Sequence, residues 1–320
     1  MKYISPELIL NHPNHKNKIK VIIKLTRKTF IKSTSILSAG LFFPYNKLIY
    51  ALQNETGNME VLRDNVGIFT EKGGTIGWLI SDDAVVVIDT QFPDSAENFV
   101  NKLQQKTNRK IDFVINTHHH VDHTSGNPVL KKFTDNIVAS KNAVELQKQF
   151  YGSGENASSQ VYANITFTDT WSADIGNEKV SAKHYWNAHT GGDSFIHFEN
   201  SNIVHLGDLV FNRIYPYIDR PGGGQLENWA KYNEALIKEF DSDTLFICGH
   251  GISVYGGKEI LVRQKDYLYA LLEYVSKKIK EGKTKEEIAE LGPVPGFDDQ
   301  VEKQATLKMS LTAAYEELTS

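Results

Sequence analysis

The most constraining feature of this 320-residue chain is a cluster of ionisable side chains that directly follows a short apolar run. Residues 118–123 read His-His-His-Val-Asp-His, and the apolar run before them spans residues 111–116. Packing alone does not require so many imidazoles in one place, whereas a metal site does. The pattern predicts a buried strand that delivers ligands to the edge of an α/β sheet, where open sheets usually bind ligands. The sequence therefore predicts a metal-dependent enzyme.

The composition limits which ligands and partners are available. The chain has one cysteine, Cys248, which excludes a cysteine zinc finger and is expected to be a small core residue. A metal must then be held mainly by His, Asp or Glu, and these ligands suit zinc, manganese or iron. The net charge of −4 gives no basic domain, so we expect a small-molecule substrate and no nucleic acid. The oligomeric state is left open.

The first 51 residues differ from the rest of the chain. A basic, irregular stretch reaches residue 24, Arg27 and Lys28 follow, and residues 33–45 are uncharged. This order is typical of an export signal and predicts a periplasmic protein. It resembles the twin-arginine signal with Lys28 in place of the second arginine; the alternative is a basic arm on a cytoplasmic protein. The apolar stretch is shorter than the about 20 residues of a membrane-spanning helix, so no stable membrane insertion is expected.

Strands that alternate with helices predict a single α/β domain over residues 58–320, with a helical C-terminal end. The apolar runs 75–80 and 84–89 are joined by Ser81-Asp82-Asp83, which predicts a hairpin. Further strands are predicted at residues 111–116, 137–140, 165–167, 195–198, 203–206 and 245–248. Helices are predicted at residues 93–106, 142–150, 226–240 and 257–281, and a capping box at Thr284 and Glu287 predicts one more.

Two metal ions would need more ligands than the histidine cluster supplies, so distant ligands are required. Three candidates lie beside predicted strands. His189 precedes a strand, whereas Asp208 and His250 follow the apolar runs 203–206 and 245–248. Each stands at a glycine-containing turn, and glycine lets the backbone approach closely or adopt positive φ. Delivery of ligands from several strand ends is what one shared site would require.

Taken in order, five segments resemble the metallo-β-lactamase superfamily over about residues 60–255. They are Val87-Ile88-Asp89-Thr90, residues 117–123, residues 188–193, His205-Leu206-Gly207-Asp208 and Cys248-Gly249-His250-Gly251. The resemblance implies a four-layer αβ/βα sandwich, in which two mixed β-sheets are flanked by helices and the site lies at one edge.

The resemblance also implies the roles of individual residues. It assigns His118, His120 and His189 to a first metal. It assigns Asp122, His123 and His250 to a second metal, with Asp208 bridging the two. Asp89 is implied to steady the metal-binding loop, and Asp193 either supports the site in the same way or caps a turn. His119 occupies a variable position of the motif and is not expected to bind metal.

Two positions depart from the best-known zinc β-lactamases. Those enzymes carry cysteine at the bridging position and a substrate-binding lysine three residues later, where this chain has Asp208 and Phe211. The ligand set is closer to the glyoxalase II, lactonase and general hydrolase branches. The resemblance thus implies a hydrolase with two zinc ions per chain, which uses metal-bound hydroxide on an ester, thioester, lactone or lactam carbonyl. Asp122 would then also orient the nucleophile.

Two alternatives remain open at this point. One is a class B β-lactamase proper. The other is a mononuclear iron dioxygenase of persulfides, which has the same histidine motif but does not need His250. The loop of residues 210–224 is the expected specificity element in either case. In it, Arg213 can meet a substrate carboxylate, Phe211 is expected to pack, and Tyr215 and Tyr217 form an apolar wall or pack against the sheet.

Overall fold

The structure is a computed structural model that describes residues 57–154, 157–301 and 304–320. The predicted export segment, residues 1–51, lies outside these residues. The first of two large mixed sheets has seven strands, whose spatial order follows their order in the chain. They are β1 Asn58–Arg63, β2 Val66–Thr70, β3 Ile76–Ile80, β4 Val85–Ile88, β5 Phe113–Ile115, β6 Ile137–Ser140 and β7 Ile165–Phe167. Strands β1 to β4 pair antiparallel, and β4 to β7 pair parallel.

The remaining strands are β8 Thr170–Ile175, β9 Glu178–Lys183, β10 Phe195–Phe198, β11 Ile203–His205, β12 Phe211–Asn212, β13 Leu245–Ile247, β14 His250–Gly251 and β15 Tyr255–Gly256. Six of them form the second sheet, in the order β15-β13-β11-β10-β9-β8. Its one parallel pair is β11 with β13. Strands β12 and β14 form a short parallel ladder of their own, which brings the loop after β11 beside His250.

Alternating side chains explain how the two sheets and the helices form layers. In β4, Val86 and Ile88 pack into a core shared with the second sheet, whereas Val85 and Val87 face the opposite side and pack with Phe99. Successive residues of a strand point to opposite faces, so one apolar strand can serve two cores. A third core joins the other face of the second sheet to the C-terminal helices. The predicted four-layer sandwich is confirmed.

The helices cover the two outer faces. They are α1 Pro93–Lys106, α2 Val121–Thr124, α3 Asn127–Leu130, α4 Lys141–Tyr151, α5 Leu226–Glu239, α6 Glu259–Lys280, α7 Lys285–Ala289 and α8 Gln304–Thr319. The apolar side of α1 packs on the first sheet, and α5, α6 and α8 pack on the second. None of the helices in the described part of the chain is long and apolar enough to cross a membrane.

The predicted strands and helices are found with ends that differ by at most two residues. The capping box of α7 is confirmed, because the Thr284 side chain accepts a hydrogen bond from the Glu287 backbone and the Glu287 side chain accepts one from the Thr284 backbone. The sequence prediction missed the hairpins β1–β2 and β8–β9. Strands β1 and β8 lie at sheet edges. β8 mostly alternates exposed with half-buried residues, and β1 has no fully buried residue, which weakens the apolar signal.

Helix α6 gives a direct test of this packing. Leu268 is fully buried against the core of the C-terminal helices, whereas Val262 on the same helix is 37% exposed. Leu268→Ala should lower the free energy of unfolding by about 2–5 kcal/mol because it leaves a cavity. Val262→Ala is the matched control and should change it by about 0.5 kcal/mol or less. Urea titration followed by circular dichroism measures both, and equal losses would contradict the assigned packing face.

Candidate metal centre

Ionisable side chains converge at the carboxyl ends of strands from both sheets. Parallel strands β4 and β5 of the first sheet lead into Asp89 and residues 118–123. Parallel strands β11 and β13 of the second sheet lead into Asp208 and His250. His189 comes from the loop between β9 and β10. The fold therefore collects in one place residues that are up to 161 positions apart in the chain, at the sheet edge where α/β folds usually bind ligands.

The first group of candidate ligands is made of His118, His120, His189 and Asp208, whose ligand atoms all lie within 4.8 Å of one another. His120 Nδ1 is 3.1 Å from both His118 Nε2 and His189 Nε2. Asp208 Oδ2 is 3.6 Å from His189 Nε2. All four side chains are buried or nearly so. This is the set that the resemblance assigns to the first metal.

Hydrogen bonds on the outer side of these rings indicate which nitrogens carry protons. His189 Nδ1 donates to the carbonyl oxygen of Tyr217 at 2.8 Å, and His120 Nε2 donates to Asp219 Oδ2 at 3.0 Å. A neutral imidazole has one donor and one acceptor nitrogen, so His189 Nε2 and His120 Nδ1 are then acceptors that face each other. Burial and the neighbouring His120 lower the pKa of His189 to about 3. Acceptors that converge in this way fit a bound cation.

The second group contains Asp122, His123 and His250. His250 Nε2 is 3.0 Å from Asp122 Oδ2, and His123 Nε2 is 3.7 Å from the same oxygen. Asp208 lies between the two groups, with Oδ1 3.2 Å from His123 Nε2 and Oδ2 3.5 Å from His250 Nε2. Gly249 permits this approach, because a Cβ atom there would lie 2.1 Å from Asp208 Oδ1.

Asp89 supports the metal-binding loop from behind, as the resemblance implies. Its Oδ1 accepts from the backbone N–H of Thr117 at 2.8 Å, and its Oδ2 accepts from His123 Nδ1 at 2.7 Å. Asp89 itself adopts a left-handed backbone with φ of 60°. The inward atoms His123 Nε2 and Asp208 Oδ1 are buried and lack a hydrogen-bond partner. Buried polar groups are nearly always satisfied, so this pair also fits a bound ion.

The electrostatics of the cluster favour a positive charge at its centre. Burial would raise the pKa of Asp208, but His250 and His123 outweigh burial and hold it well below its usual range. Burial would also raise the pKa of Asp122, but the charge of His123 and smaller contributions outweigh burial and lower this pKa to about 2. Burial would lower the pKa of His123, but Asp208, Asp122 and Asp89 raise it well above the usual value. Carboxylates that keep a buried imidazole protonated also attract a divalent cation.

Asp219, which was not predicted from the sequence, is buried beside the first group. Its Oδ2 lies 3.0 Å from His120 Nε2 and 3.4 Å from His119 Nε2, and its backbone N–H donates to the carbonyl oxygen of His189. Burial would raise its pKa, but hydrogen bonds from both histidines hold it well below the usual range. The available signal was the glycine run that follows, since a Cβ at Gly222 would lie 2.0 Å from Asp219 Oδ2.

His119 and Asp193 take different positions around the site. His119, His120 and Asp219 form a third group with ligand atoms within 4.8 Å of one another. His119 was not expected to bind metal, because it occupies a variable position of the motif. The carboxylate of Asp193 accepts from the backbone N–H and the hydroxyl of Thr190, at 2.7 and 2.6 Å. Asp193 therefore caps the turn that carries His189. Burial raises the pKa of Asp193 to about 7.

In the loop after Asp208, two residues that were considered for substrate contact have other partners. Arg213 pairs with Asp299 at 2.6 Å, so its guanidinium is already matched by a carboxylate and is not free for one on a substrate. Tyr215 is buried and lies against Tyr267 in the core of the C-terminal helices, so it does not form a wall at the site. Both residues were considered for substrate contact because they follow Asp208 closely in the sequence. Their tertiary partners, Asp299 and Tyr267, lie beyond residue 260 and hold them in other positions.

Tyr217 and Phe211 do lie beside the metal centre. The ring of Tyr217 is 5.7 Å from that of His120 and 6.1 Å from that of His189. Phe211 is buried and stacks on His250, with centroids 5.5 Å apart and planes inclined by 18°. Phe211 packs as predicted, and it does so against a candidate ligand.

Comparison with known proteins places this geometry in a family. The model of the metallo-beta-lactamase superfamily matches residues 70–251. A metallo-beta-lactamase type 2 from Bacillus cereus is 22% identical over 228 residues, which cover 68% of this chain and 85% of that protein. A hydroxyacylglutathione hydrolase from Pelagibacter ubique (strain HTCC1062) is 24% identical over 191 residues, covering 59% of this chain and 72% of that protein.

Solved structures share the fold at lower identity. A metallo-beta-lactamase from Pontibacter korlensis superposes with a TM-score of 0.59 at 16% identity, covering 67% of this chain and 99% of that one. The sec-alkylsulfatase Pisa1 from Pseudomonas sp. gives a TM-score of 0.62 at 15% identity over 81% of this chain, which spans only 50% of that protein. Since the family model covers more than half of the sequence and includes all seven candidate ligands, the chain belongs to the metallo-beta-lactamase superfamily.

Proposed function

We propose that this metal-dependent hydrolase holds two zinc ions and cleaves an ester, thioester, lactone or lactam carbonyl. The observation that carries the proposal is the position of Asp208, whose Oδ1 faces His123 at 3.2 Å while Oδ2 faces His250 at 3.5 Å and His189 at 3.6 Å. One carboxylate shared by two groups of imidazoles suits two adjacent divalent ions. A donor set of imidazole and carboxylate without thiolate suits zinc, and also manganese or iron.

The first ion would be held by His118, His120 and His189, the second by Asp122, His123 and His250, and Asp208 would touch both. Zinc in a site of this kind polarises a carbonyl and lowers the pKa of bound water from about 15.7 to about 7, so that hydroxide is available at neutral pH. Asp122 is the best placed carboxylate to orient the attacking water, because its side chain is 22% exposed against 4% for Asp208. His250 Nε2 lies 3.0 Å from Asp122 Oδ2, so these two candidate ligands of the second ion are adjacent.

The one cysteine is not needed as a nucleophile. Cys248 is fully buried, and burial raises the pKa of its thiol to about 12. A thiol that stays protonated and has no access to solvent does not attack a substrate. Hydrolysis by water therefore accounts for the site without a covalent intermediate on the chain.

Particular residues distinguish the proposed function from two alternative functions. Asp208 and Phe211 replace the cysteine and lysine of the best-known zinc β-lactamases, so lactams stay within the proposed substrate class without being its preferred member. The mononuclear iron dioxygenase is disfavoured because His250 completes a second ligand group with Asp122 and His123. Metal content distinguishes this alternative from the proposed hydrolase.

The first prediction concerns metal stoichiometry. Purified protein should contain two zinc ions per chain by elemental mass spectrometry, and chelation should remove both the metal and the hydrolytic activity. His250→Ala removes a ligand of the second group and should reduce the content to one. His197→Ala, on half-buried strand residue His197 in the second sheet, is the control and should keep two. A single iron per chain in the unmodified protein would support the dioxygenase instead.

The second prediction concerns catalysis. His120→Ala and Asp208→Ala should each lower kcat/KM by roughly 10³-fold or more, because each removes a side chain that would hold the ions. Initial rates are measured on zinc-loaded protein with nitrocefin, aryl esters, lactones and S-lactoylglutathione. Asp243→Ala changes an exposed carboxylate with a side chain 83% accessible and should leave the rates unaltered. Full activity in a verified metal-free preparation would refute the proposal.

The third prediction concerns Asp219, which accepts the hydrogen bond from His120 Nε2 and so presents Nδ1 to the centre. Asp219→Ala should weaken zinc binding by about 10- to 100-fold, since partners of this kind orient a ligating histidine. Asp219→Asn keeps an acceptor oxygen and should recover part of the affinity. Competition with a chromophoric chelator measures the dissociation constants. Equal affinities for the unmodified protein and Asp219→Ala would show that the contact does not matter.

A further inference from the structure

Exposed apolar side chains occur on segments that border the metal centre. Nine large apolar residues within the described part of the chain are well exposed; two of them are close in sequence to candidate ligands, and a third stacks on the neighbouring His119. Val121, 38% exposed, stands between His120 and Asp122 in the ligand loop. Ile252 is 58% exposed and lies two residues beyond His250. Phe150 is 37% exposed and stacks on His119, with ring centroids 5.4 Å apart.

Two tyrosines extend this apolar border. The ring of Tyr151 lies 6.2 Å from that of His119, and the ring of Tyr217 lies 5.7 Å from that of His120. Both tyrosine side chains are partly buried. We call Val121, Phe150, Tyr151, Tyr217 and Ile252 together the apolar rim.

Three cations on the adjoining loops have carboxylate partners. Lys72 pairs with Asp94, and a Cβ at the neighbouring Gly73 would lie 2.9 Å from Asp122 Cβ. Arg220, next to Asp219, pairs with Glu317 at 2.9 Å. Arg213 is paired with Asp299, as described above. An anionic substrate group would compete with these carboxylates, whereas an apolar group gains contact with the rim.

We propose that the apolar rim selects substrates whose acyl group is uncharged and apolar, such as esters with alkyl or aromatic acyl groups. This inference rests on the proposed function, because the rim acts on whichever carbonyl the metal centre attacks. Contact of an acyl chain with the rim removes apolar surface of both from water. The gain should reach about two- to fourfold in kcat/KM for each methylene that is buried.

The test is a series of p-nitrophenyl esters with acetate, butyrate, hexanoate and hemisuccinate as acyl groups. Each rate is divided by the rate of uncatalysed hydroxide hydrolysis of the same ester. We expect kcat/KM to rise by about two- to fourfold per methylene from acetate to hexanoate, and the hemisuccinate to be at least about tenfold poorer than the butyrate. Ile252→Ser and Phe150→Ser should flatten the rise, mainly through KM. Leu318→Ser, which changes a residue 41% exposed on α8, is the matched control.

A binding measurement tests the apolar rim independently of hydrolysis. Isothermal titration calorimetry compares N-(4-nitrophenyl)hexanamide with its succinic acid counterpart on the zinc-loaded protein. Tighter binding of the hexanamide, reduced in Ile252→Ser but not in Leu318→Ser, supports the rim. Equal binding of the two amides, or a flat ester series, overturns it. If no substrate of any carbonyl class is hydrolysed while the hexanamide binds selectively, the proposed hydrolase fails and the rim stands.

Discussion

The structure depends on one buried carboxylate that faces imidazoles on two sides. Asp208 is almost fully enclosed, with its oxygens between 3.2 and 3.9 Å from nitrogens of four histidines. A buried anion is costly unless it is paired, so the fold is stable at this point only with positive charge beside it. Strand β11 fixes the carboxylate at its end, where Gly207 turns the chain with φ of 52°. Sheets, turns and ligands are thus arranged around a site for cations.

Supporting hydrogen bonds give the histidines their direction. In three rings the outer nitrogen contacts a fixed oxygen: Asp89 for His123, Tyr217 for His189 and Asp219 for His120. Because one nitrogen of each ring contacts an outer oxygen, the other faces the centre, where it can bind a cation once it carries no proton. The oxygens come from the residue that follows strand β4 of the first sheet and from the loop after β12. The ligand geometry is therefore a property of the whole sandwich and not of the histidine motif alone.

This dependence explains what could be predicted from the sequence. The contiguous motif and the glycine turns at strand ends indicated all seven candidate ligands, because each follows or precedes an apolar run that forms a strand. Asp219 could not be found in the same way, since it contacts His120 across 99 positions and lies in no strand-end pattern. Arg213 was assigned to the substrate because nothing local indicates that Asp299, 86 residues later, pairs with it. Local patterns indicate strands and ligands, whereas partners that depend on tertiary packing need the structure.

Most residues of the apolar rim lie on segments that carry none of the candidate ligands. The ligands follow strands whose side chains are locked into two cores, so a change there disturbs both packing and metal binding. Phe150 and Tyr151 end helix α4, and Ile252 lies in the turn after β14; the side chains of Phe150 and Ile252 are exposed. Substitution at such positions alters contact with substrate at little cost in stability. A fold built in this way can keep one metal centre and change its acyl preference through the residues at its border.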